Sequence, residues 1–219
     1  MSAMNVIVTE SAAHVFTDGA SYNSKTGVVE GLISKCALLP QCQAVVAITG
    51  IPAIRMLLEG LIGDRFGQDE FDLVAERLHE EVTKEFKLRP QWFNSGAFEL
   101  LLVGWSKKRG GPKAYHLAGH REGTASPFEP RAVRKFLSPH PIAFGEIEFD
   151  ESRAAECGLA IMERQRRQSY SPVGSIHEFY AIGGFCQHTI VREHELTTSV
   201  IRRWPDKIGE AINPRSEGS

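Results

Sequence analysis

The sequence has no long hydrophobic run: no stretch approaches the roughly 18 apolar residues that a membrane-spanning helix needs, so no membrane partner is expected. No basic segment followed by an apolar run stands near its start, and no secretory signal is expected. Cysteine is scarce. Cys36, Cys42, Cys157 and Cys186 show no metal-type clustering, which points to a reduced, cytoplasmic setting with cysteines as core fillers, Cys36 and Cys42 being near enough in sequence to pair. Neither sign of charge dominates: 25 Lys and Arg stand against 27 Asp and Glu. With three widely separated tryptophans and no basic stripe, nothing points to nucleic acid. No phosphate loop is present, since Gly183-Gly184 leads into Phe185 rather than Lys-Ser/Thr, and no cofactor is expected. His79-Glu80-Glu81-Val82-Thr83 lacks the second histidine of a zinc helix, and His188 and His194 are six residues apart, so no metal site is expected.

What remains is ordinary globular composition, 42% apolar and 24% charged. There is no internal repeat and no convincing linker. The spacing supports a single domain over residues 1–212, with 213–219 as a flexible tail.

Strand-type runs come first. Val6–Thr9 and His14–Thr17 suggest a hairpin, Gly27–Lys35 is rich in branched residues, and Gln43–Thr49 is apolar almost throughout, as a strand covered on both faces would be. Two amphipathic helices follow. One starts from Pro52 with Ile54, Leu57, Leu58, Leu61 and Ile62. The other starts from Asp69 with Phe71, Val74, Leu78, Val82 and Phe86, closed by Arg89-Pro90. Phe98–Trp105 and Lys113–Ala118 read as a hairpin across Gly110-Gly111. The proline-rich stretch 119–141 reads as an excursion with a short helix near Pro130–Leu137. A third helix is predicted from Asp150, a good N-cap, to Arg167. Its basic end, Arg164–Arg167, suits the helix dipole as a solvated charge run. Glu178–Ile182, continuing toward Val191, and Thr197–Trp204 complete the strands. Blocks of strands alternating with blocks of helices fit an α+β domain of mainly antiparallel sheets.

Three segments carry a family resemblance: Thr17-Asp18-Gly19-Ala20, Ile33-Ser34-Lys35, and Val45-Val46-Ala47-Ile48-Thr49-Gly50 running into a helix. Together they resemble the start of proteasome β subunits and of proteasome-like bacterial proteases, which belong to the N-terminal-nucleophile hydrolases. The run Thr17–Gly50 and the ending Arg203-Trp204-Pro205-Asp206-Lys207 are also similar to bacterial proteins grouped with proteasome-like sequences. That family has an N-terminal threonine, serine or cysteine, then an aspartate in an Asp-Gly turn and a lysine at comparable intervals. Here Ser2 precedes Asp18 by 16 positions, and Lys35 follows Asp18 by 17. The resemblance implies a four-layer αββα sandwich of two mainly antiparallel sheets flanked by helices. It also implies a peptide or amide substrate, and self-association or an assembly partner.

The chemistry explains the residue types. An N-terminal nucleophile uses its own α-amine as general base. With a pKa of roughly 7.7–8.0, that amine is partly neutral near neutral pH, and a nearby ammonium keeps it so. On this resemblance Ser2, exposed by removal of Met1, is the nucleophile. Lys35 tunes the amine, Asp18 orients Lys35, and Thr49 and Gly50 supply the oxyanion site. The chain departs from the family in three places. It begins Met1-Ser2-Ala3-Met4-Asn5 rather than with a propeptide followed by threonine, and a start at Met4 would leave no nucleophile. The strand end that carries Gly-Ser-Gly in the family reads Ala143-Phe144-Gly145-Glu146, and where a late aspartate is expected the chain reads Ser175-Ile176-His177-Glu178. A second reading therefore stands beside the first: a non-catalytic proteasome-like subunit with a structural or assembly role. Taken singly, Asp18-Gly19 is ordinary hairpin chemistry and Lys35 an ordinary solvated strand end.

Overall fold

The computed structural model describes residues 2–50, 56, 60–64, 70–90, 98–119, 127–139, 148–171 and 178–214. In chain order the strands are β1 Met4–Val8, β2 Ala13–Asp18, β3 Ala20–Tyr22, β4 Val29–Leu32, β5 Cys36–Leu39 and β6 Ala44–Thr49. After helix α1, Phe71–Leu88, come β7 Glu99–Ser106, β8 Gly111–Ala118, β9 Arg131–Val133 and β10 Lys135–Ser138. Helix α2, Ala154–Arg166, is followed by β11 Ser169–Tyr170, β12 Phe179–Tyr180, β13 Phe185–Arg192 and β14 Glu195–Arg203.

The chain is a mixed α+β protein. Two five-stranded sheets dominate, ordered β10-β1-β2-β13-β14 and β5-β6-β7-β8-β9, and every pairing among the described strands is antiparallel. Side chains alternate across each strand, and that alternation builds the cores. From β6, Val45 and Ala47 meet Val6, Val15 and Val191 of the other sheet, together with Leu101 and Val103 of β7. The intervening Val46, Ile48, Leu100 and Leu102 point the other way, onto Phe71, Val74, Leu78 and Val82 of α1. Across the first sheet, Phe16 and Cys186 pack against Met162 of α2. Strands β2 and β6 are buried at every residue, because both of their faces are covered.

The hairpin of β1 and β2 and the stripe of α1 match the sequence expectation. Asp150, expected to cap the third helix, caps instead the 3-10 turn Glu151–Arg153 that leads into α2, its carboxylate accepting from the Ser152 amide at 2.9 Å. Four further expectations need correction. The helix near Pro130–Leu137 is instead β9 and β10, which pair with β8 and β1: edge positions tolerate a segment whose flanking prolines mimic loop composition. The strand over Gly27–Lys35 is shorter, since Val29–Leu32 folds back on β3 and a new strand, β5, begins after Lys35. The run from Glu178 toward Val191 breaks at residues 181–184, where Gly184 has φ of 75°. The turn joining β7 and β8 occupies residues 107–110, and Gly111 is already in the strand. Of the helix predicted from Pro52, residues 60–64 are helical, with Leu61 and Ile62 buried; Pro52, Ile54, Leu57 and Leu58 lie outside the described residues. Met1, Ala143–Glu146, Ser175–His177 and tail residues 215–219 also lie outside them.

Candidate active site

Asp18 is the last residue of β2, and Lys35 immediately precedes β5. Asp18 is fully buried and Lys35 is 4% exposed. The Lys35 Nζ donates to Asp18 Oδ1 at 2.6 Å. The reading of Lys35 as a solvated strand end is therefore corrected: a buried ammonium beside a buried carboxylate offsets a charge that neither could carry alone.

Three backbone amides complete the carboxylate's surroundings. Ala3 N donates to Oδ1 at 2.8 Å, and Ala20 N and Gly183 N donate to Oδ2 at 3.1 and 3.3 Å. All four partners are donors, which suits an anionic acceptor. The register explains why they meet. Met4 lies opposite Thr17, and the pairing runs on to Ala3, whose carbonyl accepts from Asp18 N at 3.4 Å. Ser2 is half-buried and adjoins the residue that Asp18 holds.

The end of β6 runs beside Lys35, whose carbonyl accepts from Ile48 N at 3.0 Å. Thr49 follows and is buried. Gly50 is exposed with φ of 121°, a conformation open to glycine and costly for other residues. Of the five residues named from sequence, then, Asp18 and Lys35 are in direct contact. Ser2 is one residue from a group bonded to Asp18. Thr49 and Gly50 follow the strand position that bonds Lys35.

Three titratable groups near the ion pair are held neutral. Burial, then the Asp18 charge, pushes the Tyr22, Tyr170 and Cys186 side chains well above their ordinary values. Near neutral pH these three remain protonated beside a charged carboxylate–ammonium pair.

Sequence reasoning missed several residues that build this region. Gly183 was weighed only as a failed phosphate loop, yet its amide reaches Asp18 and its carbonyl accepts from Gly19 N at 3.0 Å. A Gly-Gly between two strand runs is a signal for close backbone approach. Arg166 belongs to the run read as solvated. That reading is corrected too, because Arg166 is fully buried and forms a bidentate pair with Asp206. Ser34, next to Lys35, donates to Gln187 Oε1 at 2.9 Å, tying the site to β13. His188, discounted as a ligand together with His194, is buried with its Nε2 3.1 Å from His14 Nδ1, whereas His194 is exposed.

Among the described residues no group of three or more His, Cys, Asp or Glu converges to hold a metal ion. No described helix is long and apolar enough to cross a membrane. No protein-family model matches the chain, and no curated protein matches it.

Proposed function

We propose that the chain is a proteasome-type N-terminal-nucleophile hydrolase with the four-layer αββα sandwich, cleaving a peptide or amide bond through Ser2. The observation that carries this reading is the buried Asp18–Lys35 pair, 2.6 Å apart and bonded through Asp18 to the amide of the residue after Ser2. Two charges taken out of water are costly, and well-packed apolar residues would serve stability as well. A buried charge pair one residue from Ser2 would serve the chemistry of an amine there.

In the proposed reaction Met1 has been removed and the Ser2 amine takes the hydroxyl proton as Oγ attacks the carbonyl carbon. The Lys35 ammonium favours the neutral amine before attack and stabilises the developing negative charge after it. Asp18 orients Lys35. The backbone at Thr49-Gly50 faces the oxyanion. The amine returns its proton to the leaving nitrogen, leaving an ester at Ser2 that water hydrolyses, and the free hydroxyl is restored. The proposal includes self-association, which the family resemblance implies, and a cytoplasmic setting, which the scattered cysteines suggest.

The non-catalytic reading has one observation in its favour. Three of the four donors to Asp18, from Ala3, Lys35 and Gly183, join it to segments 15, 17 and 165 residues away, so the same pair would serve as a structural clamp. Intact mass of the full-length protein, with and without a β-lactone that acylates N-terminal nucleophiles, separates the two. Loss of Met1 with one adduct at Ser2, absent in Ser2→Ala, supports the hydrolase. A retained Met1, or a free Ser2 that ignores the lactone, selects the clamp.

A further inference from the structure

A second buried ion pair lies behind the first. Arg166 ends α2, and its side chain is fully buried; that of Asp206, beyond β14, is 4% exposed. Arg166 Nη1 and Nη2 donate to Asp206 Oδ2 and Oδ1 at 2.9 and 2.8 Å, and the guanidinium sits 4.9 Å over the Trp204 ring.

The pair grips the backbone of the turn between β12 and β13. Arg166 Nη1 donates to the Ile182 carbonyl at 2.7 Å. Asp206 Oδ2 accepts from Gly184 N at 2.7 Å, and Trp204 N donates to the Gly184 carbonyl at 3.0 Å. With residues 182 and 184 held, Gly183 is left to face the site: its amide donates to Asp18 Oδ2 at 3.3 Å and its carbonyl accepts from Gly19 N at 3.0 Å. A Cβ on Gly183 would meet Asp206 Oδ2 at 2.5 Å and Arg166 Nη1 at 3.0 Å, so the grip requires glycine there. Gly184 holds φ of 75°, which fixes the turn's path.

We infer that Arg166 and Asp206 are positioning residues for the Asp18–Lys35 centre: they set the 182–184 turn so that Gly183 donates to Asp18, and thereby make the segment 204–206 part of the site. This rests on the hydrolase reading above for its catalytic meaning. Apolar side chains of equal volume would fill the space without the desolvation cost. They would not supply directed bonds to the Ile182 carbonyl and the Gly184 amide, and those bonds are what the charged pair adds.

The test uses the full-length chain with Asp206→Asn and, as a second variant, Arg166→Lys. The first readout is amide hydrogen exchange, which reports local opening whether or not the protein is an enzyme. Exchange at Gly183, Gly184 and Ala20 is expected to rise at least tenfold, while Leu101 and Val103 in the other sheet keep wild-type protection. Unchanged exchange at Gly183 and Ala20 overturns the inference, and so does a uniform rise across both sheets, which marks a general staple. The second readout is the pH profile of β-lactone labelling at Ser2. Asp206→Asn is expected to label at least tenfold more slowly with a displaced profile, and Arg166→Lys, which retains the charge, to label more slowly than wild type but faster than Asp206→Asn. Wild-type labelling kinetics in a variant with loosened turn amides overturn the positioning role. A wild-type protein that never labels sinks the hydrolase reading instead, and the exchange data still decide whether the pair sets the turn.

Discussion

The two helix-covered faces of the molecule are built on different principles. Against the sheet of β5–β9, α1 presents Phe71, Val74, Leu78 and Val82 to Val46, Ile48, Leu100, Leu102 and Leu117, a contact made mainly of hydrocarbon, although Glu85 near the helix end is also buried. Against the sheet of β1, β2 and β13, α2 also buries apolar groups, but polar ones are threaded among them. Asn5 bonds Gln165, His14 meets His188, Arg166 pairs with Asp206, and Asp18 pairs with Lys35. Apolar burial contributes most of the favourable folding free energy, whereas each buried polar group contributes only when its partners are in place. The first face is suited to stability. The second trades some stability for fixed geometry, and it is the face that carries the candidate site.

The comparison predicts that equal losses of stability have unequal chemical consequences. Lys35→Met leaves the Asp18 carboxylate buried without its counter-charge and is expected to cost about 3–5 kcal/mol. It should also abolish lactone labelling at Ser2 in molecules that remain folded. Phe71→Ala opens a cavity in the apolar cluster under α1 and is expected to cost a similar amount, about 3–5 kcal/mol, while the labelling rate per folded molecule stays at wild type. Denaturant titration paired with labelling measures both. Loss of labelling in Phe71→Ala, with the protein folded, would erase the distinction between the faces.

A smaller effect comes from the histidines. Burial, then His14 and Arg192, pushes His188 down to about 4, and burial lowers His14 despite the nearby Glu151. Both are neutral when folded at pH 7 and gain protons on unfolding below the ordinary value of 6.5. Between those limits the unfolded chain binds more protons, so this contribution is complete above pH 6.5 and is lost as pH falls toward 4. For His188 the loss is at most about 3 kcal/mol. Urea midpoints across this range should fall less steeply for His188→Gln than for wild type, and parallel slopes would show that the pair does not titrate as described. The smallest effect belongs to the surface of α1. Lys108→Ala breaks a 3.0 Å contact with Glu76 between two exposed side chains, and should change stability by no more than about 0.5 kcal/mol.

The sequence made the strong local signals legible. The continuous apolar run Gln43–Thr49 and the stripe of α1 follow from patterns that burial imposes directly, and both elements formed where expected. Asp18 and Lys35 were readable as a pair through a family spacing, and they touch. What stayed hidden depends on long-range placement. Arg166 looked solvated because a helix-end charge run ordinarily is, and nothing local announces that Asp206, forty residues on, will bury it. Strands β9 and β10 read as a short helix within a proline-rich excursion because edge strands among prolines carry little alternation, and their pairing with β8 and β1 is decided by the sheets they join. Gly183 lacked a side chain to attract notice, and its part in the site is played by the backbone.

The central claim is the proposal that the Asp18–Lys35 pair acts on Ser2 as an N-terminal nucleophile. The most direct test is the titration of the Ser2 α-amine by NMR, in protein whose intact mass shows Ser2 at the terminus. A neighbouring ammonium disfavours a second positive charge, so the amine should titrate below the roughly 7.7–8.0 of a free terminus, and Lys35→Met should move it back up in molecules that stay folded. An amine that titrates at the ordinary value and ignores Lys35→Met would contradict the account and leave the pair a structural clamp.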